Sequence, residues 1–229
     1  MFGYYFDPTY ILVLIGVVIS LLASWGVKST FAKYSKVRNS YGLTAMEVAE
    51  RILHDAGIYD VGIEQVAGDL TDHYSPNEKV LRLSSTVCHS TSVAAIGVAA
   101  HECGHAIQHA NGYAPIKVRN AIVPVVNIGQ QLSIPLIMLG LVLSMTGLVN
   151  IGIILFSFVL IFQVVTLPVE FNASGRALAI LRDRSFLGDE ELKGAKAVLT
   201  AAALTYVAAV ISSALQLLRL VLLSRRRDD

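Results

Sequence analysis

His101 and His105 stand four residues apart and enclose Glu102 in the pattern H-E-x-x-H. On an α-helix, positions i and i+4 share a face, so both imidazoles can point at a single ion. Glu102 comes one residue after His101 and stands to one side, where it reaches a metal-bound water rather than the metal. A zinc hydrolase needs these parts: two neutral nitrogen ligands, an open position for water, and a carboxylate beside it as general base. The spacing predicts Zn2+ on His101 and His105, with Glu102 as the base. The rest of the chain must then supply a helix for the motif and a third ligand.

The helix is legible. It is expected to start near Ser90 or Thr91 and run to about Ala110, with Asn111 and Gly112 as its stop. Val93, Ile96, Gly97, Ala100 and Gly104 give it a small, apolar stripe. Upstream, Thr44 and Glu47 form a capping box, after which Met46, Ala49, Ile52 and Leu53 recur at helical spacing up to Gly57. Val61 to Tyr74 is rich in β-branched residues with broken alternation, Ser75 to Glu78 reads as a turn, and Val80 to Ser84 alternates like a half-buried strand. A small β-hairpin or edge strand is therefore expected just ahead of the motif. As an edge, Val80 to Ser84 could pair with an extended substrate; a purely structural strand fits equally well.

The remainder of the chain is unusually apolar. Of 229 residues, 54% are hydrophobic and 15% charged, against about 25% charged in an ordinary soluble protein. Tyr10 to Val27, Ala121 to Val169 and Leu199 to Leu218 carry no charge at all. A membrane span takes about 20 such residues, so the fold class is a mainly α, multi-pass membrane protein. The first run lacks a basic region ahead of it and a small-residue cleavage site behind it, which favours a retained anchor over a cleaved signal. Lys28, Lys33, Lys36 and Arg38 follow it directly, placing residue 28 onward in the cytoplasm by the positive-inside rule. The net charge of +1 gives no argument for nucleic acid. Cys88 and Cys103 read as two reduced thiols rather than a disulfide framework.

Five segments follow from this pattern: an anchor (1–27), a cytoplasmic catalytic region with the motif helix (28–120), a two-span hairpin (121–169), a cytoplasmic helical segment (170–196), and a C-terminal apolar helix with a basic tail (197–229). The hairpin is expected to break near Gly147 to Asn150, and its second span, Ile151 to Leu167, to stop at Pro168. One conflict remains. If the last helix crosses fully, it carries Arg225, Arg226 and Arg227 outside. A helix lying in the interface, or spanning only partly, would avoid that.

The hairpin narrows the third ligand. A third histidine in the longer H-E-x-x-H-x-x-G-x-x-H pattern would require glycine and histidine where Gln108 and Asn111 stand. An intramembrane site would need an Asp-Gly signature in a later span, which is missing. A glutamate on a later helix remains. Two crossings return the chain to the side it left, which puts Glu170 on the side of His101 and His105. Asp183, Asp189, Glu190 and Glu191 share that side but sit in solvated or helix-capping contexts.

The stretch His101 to Gln108, followed by Leu167 to Ser174, resembles the YugP-like family of bacterial membrane zinc metallopeptidases. Thr71 to Pro76, Leu81 to Ser84 and Ala201 to Val207 resemble it too, so the likeness covers nearly the whole chain. The resemblance implies a gluzincin-type zinc site on two helices, distantly similar to HtpX-like and CAAX prenyl proteases. His101, His105 and Glu170 would then be the zinc ligands and Glu102 the base. Where the HtpX-like group has an aspartate orienting a ligand histidine, this chain has Ser174, and it has Asn172 and Ser75 where the family often has aspartate. These departures weaken any expectation about the residues behind the ligands.

Other polar residues have plainer readings. His109 extends the motif face and could touch substrate, but an exposed helix-end histidine is the simpler account. His73 could face the cleft, or simply bond locally in a turn. Arg176 could bind a substrate carbonyl, or anchor the helix at the cytoplasmic face.

Together these residues predict a membrane-bound zinc metalloendopeptidase in a bacterial inner membrane. Its active site faces the cytoplasm, and its partners are the bilayer and protein or peptide substrates, membrane proteins included. A zinc-stabilised scaffold or adaptor is the rival, though a scaffold has no use for Glu102. A metal transporter is a weaker one, because it would hold its histidines inside a span.

Overall fold

In the computed structural model, which describes residues 7–228 and the side chains to residue 224, six helices and three strands follow one another in the order α1 (Tyr10–Tyr34), α2 (Ala45–Asp55), β1 (Gly62–Val66), β2 (His73–Ser75), β3 (Val80–Ser84), α3 (Val93–Ala110), α4 (Ala114–Val142), α5 (Thr146–Asp183) and α6 (Asp189–Asp228). Two compact units are built from these elements. One comprises residues 1–24, 118–166 and 205–229; the other comprises 25–117 and 167–204.

The first unit is helical and apolar on its surface. Four helices, α1, α4, α5 and α6, are long and apolar enough to cross a membrane. Within the unit, Ser20 and Ser212 share a hydrogen bond of 2.9 Å, and Ser212 Oγ donates to the Gly16 carbonyl at 2.9 Å. Further along, Arg219 lies 3.8 Å from Asp7 and covers the Tyr10 ring. Early residues of α1 thus meet late residues of α6, so the two helices run antiparallel over their apolar length. The last helix, α6, is continuous, and its Asp189–Ser224 stretch is long and apolar enough to cross a membrane. The side chains of Arg225, Arg226 and Arg227 lie outside the described residues.

Two boundaries differ from expectation. The hairpin turns at Leu143–Met145, ahead of Gly147, with Ser144 at φ 56° and Met145 N–H closing on the Gly140 carbonyl. Gly140 explains the tightness, since a Cβ there would lie 2.8 Å from Val149 N. Pro168 does not stop the second span: α5 runs through it to Asp183. A proline costs one backbone bond, but in apolar surroundings no water waits for the groups that a break would free, so continuing the helix loses less.

The second unit holds the sheet and its core. Leu81, Leu83, Val87, Ile96, Ala99 and Cys103 are fully buried in one cluster with α2. The capping box on α2 forms as expected, Thr44 accepting from Glu47 N–H and Glu47 from Thr44 N–H. The sheet order is β1-β3-β2, with β1 parallel and β2 antiparallel to β3. Val80–Ser84 is therefore the central strand and no edge, because β1, cut from the ambiguous 61–74 stretch, pairs along its other side. The strand at the edge toward the motif helix is β2.

Candidate metal centre

The motif helix is set in place from both ends. Ser92 caps α3 by accepting from Ala95 N–H at 3.2 Å, and Asn111 closes it ahead of Gly112 at φ 62°. On its inner face, Gly104 meets α5 directly. A Cβ there would lie 2.7 Å from the Ala173 carbonyl oxygen, so only glycine permits this approach. Three residues before Ala173, the same helix carries Glu170. Helix contact at Gly104 thus delivers the carboxylate to the two histidines.

Glu170 Oε2 lies 3.2 Å from His101 Nε2 and 3.5 Å from His105 Nε2. Among the described residues, His101, His105 and Glu170 form the one group of three whose ligand atoms all lie within 4.8 Å of one another. Zinc with bonds of 2.0–2.2 Å in tetrahedral geometry separates its ligand atoms by about 3.3 Å. The two imidazoles stand nearly edge to face, 83° apart, so both present Nε2 to the same point. Glu170 is almost fully buried.

The far nitrogens are occupied. His105 Nδ1 lies 3.0 Å from Gln108 Oε1, and His101 Nδ1 lies 3.1 Å from Ser174 Oγ. With Nδ1 protonated, Nε2 carries a lone pair, which here faces a carboxylate oxygen. Two acceptors face to face need a cation between them, either a proton or a metal. Burial pulls the His105 pKa down, but Glu170, Glu102 and Gln108 outweigh it and raise it. Burial likewise pushes Glu170 up, and the two histidines override it, holding the carboxyl far below the usual range. The donor set fits zinc, with two nitrogens and one oxygen.

Glu102, between the two histidines in the motif, is nearly buried and close enough to His105 to act on its charge. Its Oε2 accepts the Tyr74 N–H of β2 at 3.0 Å. Ahead of Tyr74, Asp72 accepts from Ser84 N–H at 2.7 Å and from Ser84 Oγ at 2.9 Å, tying the strand to β3. Burial pushes the Asp72 carboxyl up despite those bonds. Cys103 lies on the opposite face of α3, fully buried, and burial pushes its thiol far up. Both cysteines are free. Neither joins the ligand group.

The remaining candidates fall outside the metal group. His109 is exposed and bonds the Tyr74 phenol at 2.9 Å. His73 is exposed and bonds the Thr71 carbonyl. Arg176 binds Asn172 Oδ1 at 2.7 Å. Asp183 pairs with Arg182, Glu190 with Lys193, and Glu191 with Ser40 and Gly188. The Gln108 and Tyr74 contacts escaped the sequence reading, and Ser174, named there only as a departure, bonds His101. Gln108 sits one helical turn from His105, three residues after it, so its spacing could have flagged it. The departure at Ser174 does not remove the contact to the ligand histidine; it replaces a charged acceptor with a neutral one. The Tyr74 contact is made by a backbone N–H, which leaves no mark in a sequence.

Comparison with known proteins agrees with this geometry. The profile of the family described as "Putative neutral zinc metallopeptidase" matches residues 9–225. The chain is 48% identical over 205 residues to the "Putative membrane protease YugP" of Bacillus subtilis (strain 168), covering 90% of this chain and 91% of that relative. No solved structure matches.

Proposed function

The chain belongs to this neutral zinc metallopeptidase family, and from that premise we propose that it is a membrane-bound endopeptidase in which His101, His105 and Glu170 hold Zn2+ and Glu102 is the general base. The observation that carries the reading is the convergence of three acceptor atoms on one point with a second carboxylate beside it. When bound, zinc supplies a Lewis acid and lowers the pKa of a water to about 7. Glu102, held in place by Tyr74 N–H, takes a proton from the attacking water and returns it to the leaving amine. The walls formed by α3 and α5 exclude bulk water from Glu170, which keeps its charge on the ligand face. An extended peptide laid along the outer side of β2 passes Glu102, so β2 takes the substrate-pairing role once open to β3.

The catalytic unit faces the cytoplasm of a bacterial inner membrane in this reading. Lys28, Lys33, Lys36, Arg38, Lys193 and Lys196 all flank apolar helices on its side, which outweighs Arg219 and the C-terminal arginines. Substrates are proteins in or at the membrane.

The decisive experiment compares wild type with Glu102→Gln, both purified in detergent, on an unstructured protein substrate, with bound zinc measured in each. Glu102→Gln retains zinc and loses at least about a hundredfold in cleavage rate. Equal cleavage by the two proteins, or none by zinc-loaded wild type, sinks the enzyme reading in favour of a scaffold.

A further inference from the structure

Behind His105 runs a line of polar side chains that the hydrolytic chemistry does not use. Arg176 Nε donates to Asn172 Oδ1 at 2.7 Å. The same oxygen accepts from Gln108 Nε2 at 3.0 Å, and Gln108 Nε2 also donates to the Val169 carbonyl at 2.8 Å. Gln108 Oε1 then faces His105 Nδ1 at 3.0 Å. Gln108 is fully buried, so none of these bonds can be traded for water.

The line has a direction. An amide can turn end for end, exchanging donor and acceptor, and nothing in its own shape prevents it. A guanidinium can only donate, and a backbone carbonyl can only accept. Arg176 therefore fixes the oxygen of Asn172 toward itself and toward Gln108. Asn172 and the Val169 carbonyl together fix the nitrogen of Gln108, and its oxygen is left for His105. A reversed Gln108 would set oxygen against two oxygens and nitrogen against His105 N–H.

We propose that Gln108, oriented by Asn172 and Arg176, is the positioning residue that locks His105 with its proton on Nδ1 and its lone pair on Nε2 toward the metal. The inference rests on the metal centre proposed above. His101 has no such lock, since the Ser174 hydroxyl can donate or accept. Of the two histidines, His105 is preset and His101 adapts.

Zinc affinity of the full chain in detergent, measured by competition with a chromophoric chelator, tests this without reference to cleavage. Gln108→Met, which fills the space and removes the acceptor, weakens zinc by about 10- to 100-fold. Asn172→Leu weakens it in the same direction, and Arg176→Met does so to a smaller extent, because Val169 still holds Gln108. Asn172→Asp, a group that can only accept, keeps wild-type affinity and restores it in the Arg176→Met background. A merely structural role for Asn172 predicts no such rescue. If Gln108→Met fails to fold, the half-buried Asn172 pair decides. Wild type that binds zinc while the Met and Leu variants bind it equally well overturns the inference. Wild type that binds no zinc overturns the metal centre itself.

Discussion

At the residue scale, the site is a contest between a proton and a metal. His105 carries a pKa raised above its ordinary value of about 6.5, because Glu170 and Glu102 outweigh the cost of burial. In the metal-free protein its charged form stabilises the fold fully below about 6.5 and ceases to do so as pH rises through the higher folded value. The depressed Glu170 works in the opposite sense. Its contribution is present above about 4.3 and is lost as pH falls through the lower folded value. The metal-free pair thus stabilises most between those two limits. Zinc needs the neutral imidazole, so it must displace the proton. Zinc affinity is therefore flat at high pH and falls as pH drops through the raised His105 value, with the loss already under way above pH ~6.5. A titration of zinc affinity from alkaline to mildly acid pH checks this; affinity independent of pH down to about 6 contradicts it.

At the element scale, the contact between α3 and α5 makes the site. Gly104 lies against backbone, not against a side chain that could swing away, and a Cβ would approach the Ala173 carbonyl to 2.7 Å. Gly104→Ala must push the helices apart, which costs about 1–3 kcal/mol as overpacking does. Because Glu170 and Ser174 flank Ala173 on the displaced helix, the loss appears in the metal site. Zinc affinity should fall by roughly tenfold to a hundredfold, while the helical circular dichroism of the variant stays that of wild type. Unchanged zinc binding in Gly104→Ala would show that α5 positions Glu170 by some other contact. Pro168 belongs to the same account. Had it ended the span, Glu170 would sit in a loop, and a carboxylate on a loop is held less firmly than one on a rigid helix.

At the scale of the whole molecule, orientation in the bilayer follows from the distribution of basic residues. Asp7 with Arg219 and Ser20 with Ser212 set the first turns of α1 against the later turns of α6 in antiparallel contact. The proposed cytoplasmic orientation rests on Lys28, Lys33, Lys36 and Arg38, which directly follow the first apolar run. Tyr59, 76% exposed, offers a reporter, because Cys88 and Cys103 are fully buried and silent. Tyr59→Cys should react with a membrane-impermeant maleimide in inverted vesicles and stay unmodified in intact cells. Labelling in intact cells would reverse the orientation.

The sequence alone determined whatever local periodicity and composition can express. His101 and His105 share a face because a helix repeats every 3.6 residues. The capping box at Thr44 and the glycine stop at Gly112 are local, and they appear where the residue types place them. Uncharged runs mark helices long and apolar enough to cross a membrane, and Glu170 lies beside the motif histidines. Tertiary structure decided what depends on partners distant in the chain. It made β3 central by setting β1 beside it in parallel, a pairing that no alternation of residues encodes. It carried α5 through Pro168 and moved the hairpin turn to Ser144, because close packing at Gly140 overrode local preference. It also placed a backbone N–H on Glu102 and fixed the direction of the Gln108 amide through Val169 and Asn172, contacts made across 28, 61 and 64 residues. The ligands were legible because coordination fixes residue types. The groups that orient them were not, since an amide, a hydroxyl and a backbone N–H can each serve, and only geometry selects among them.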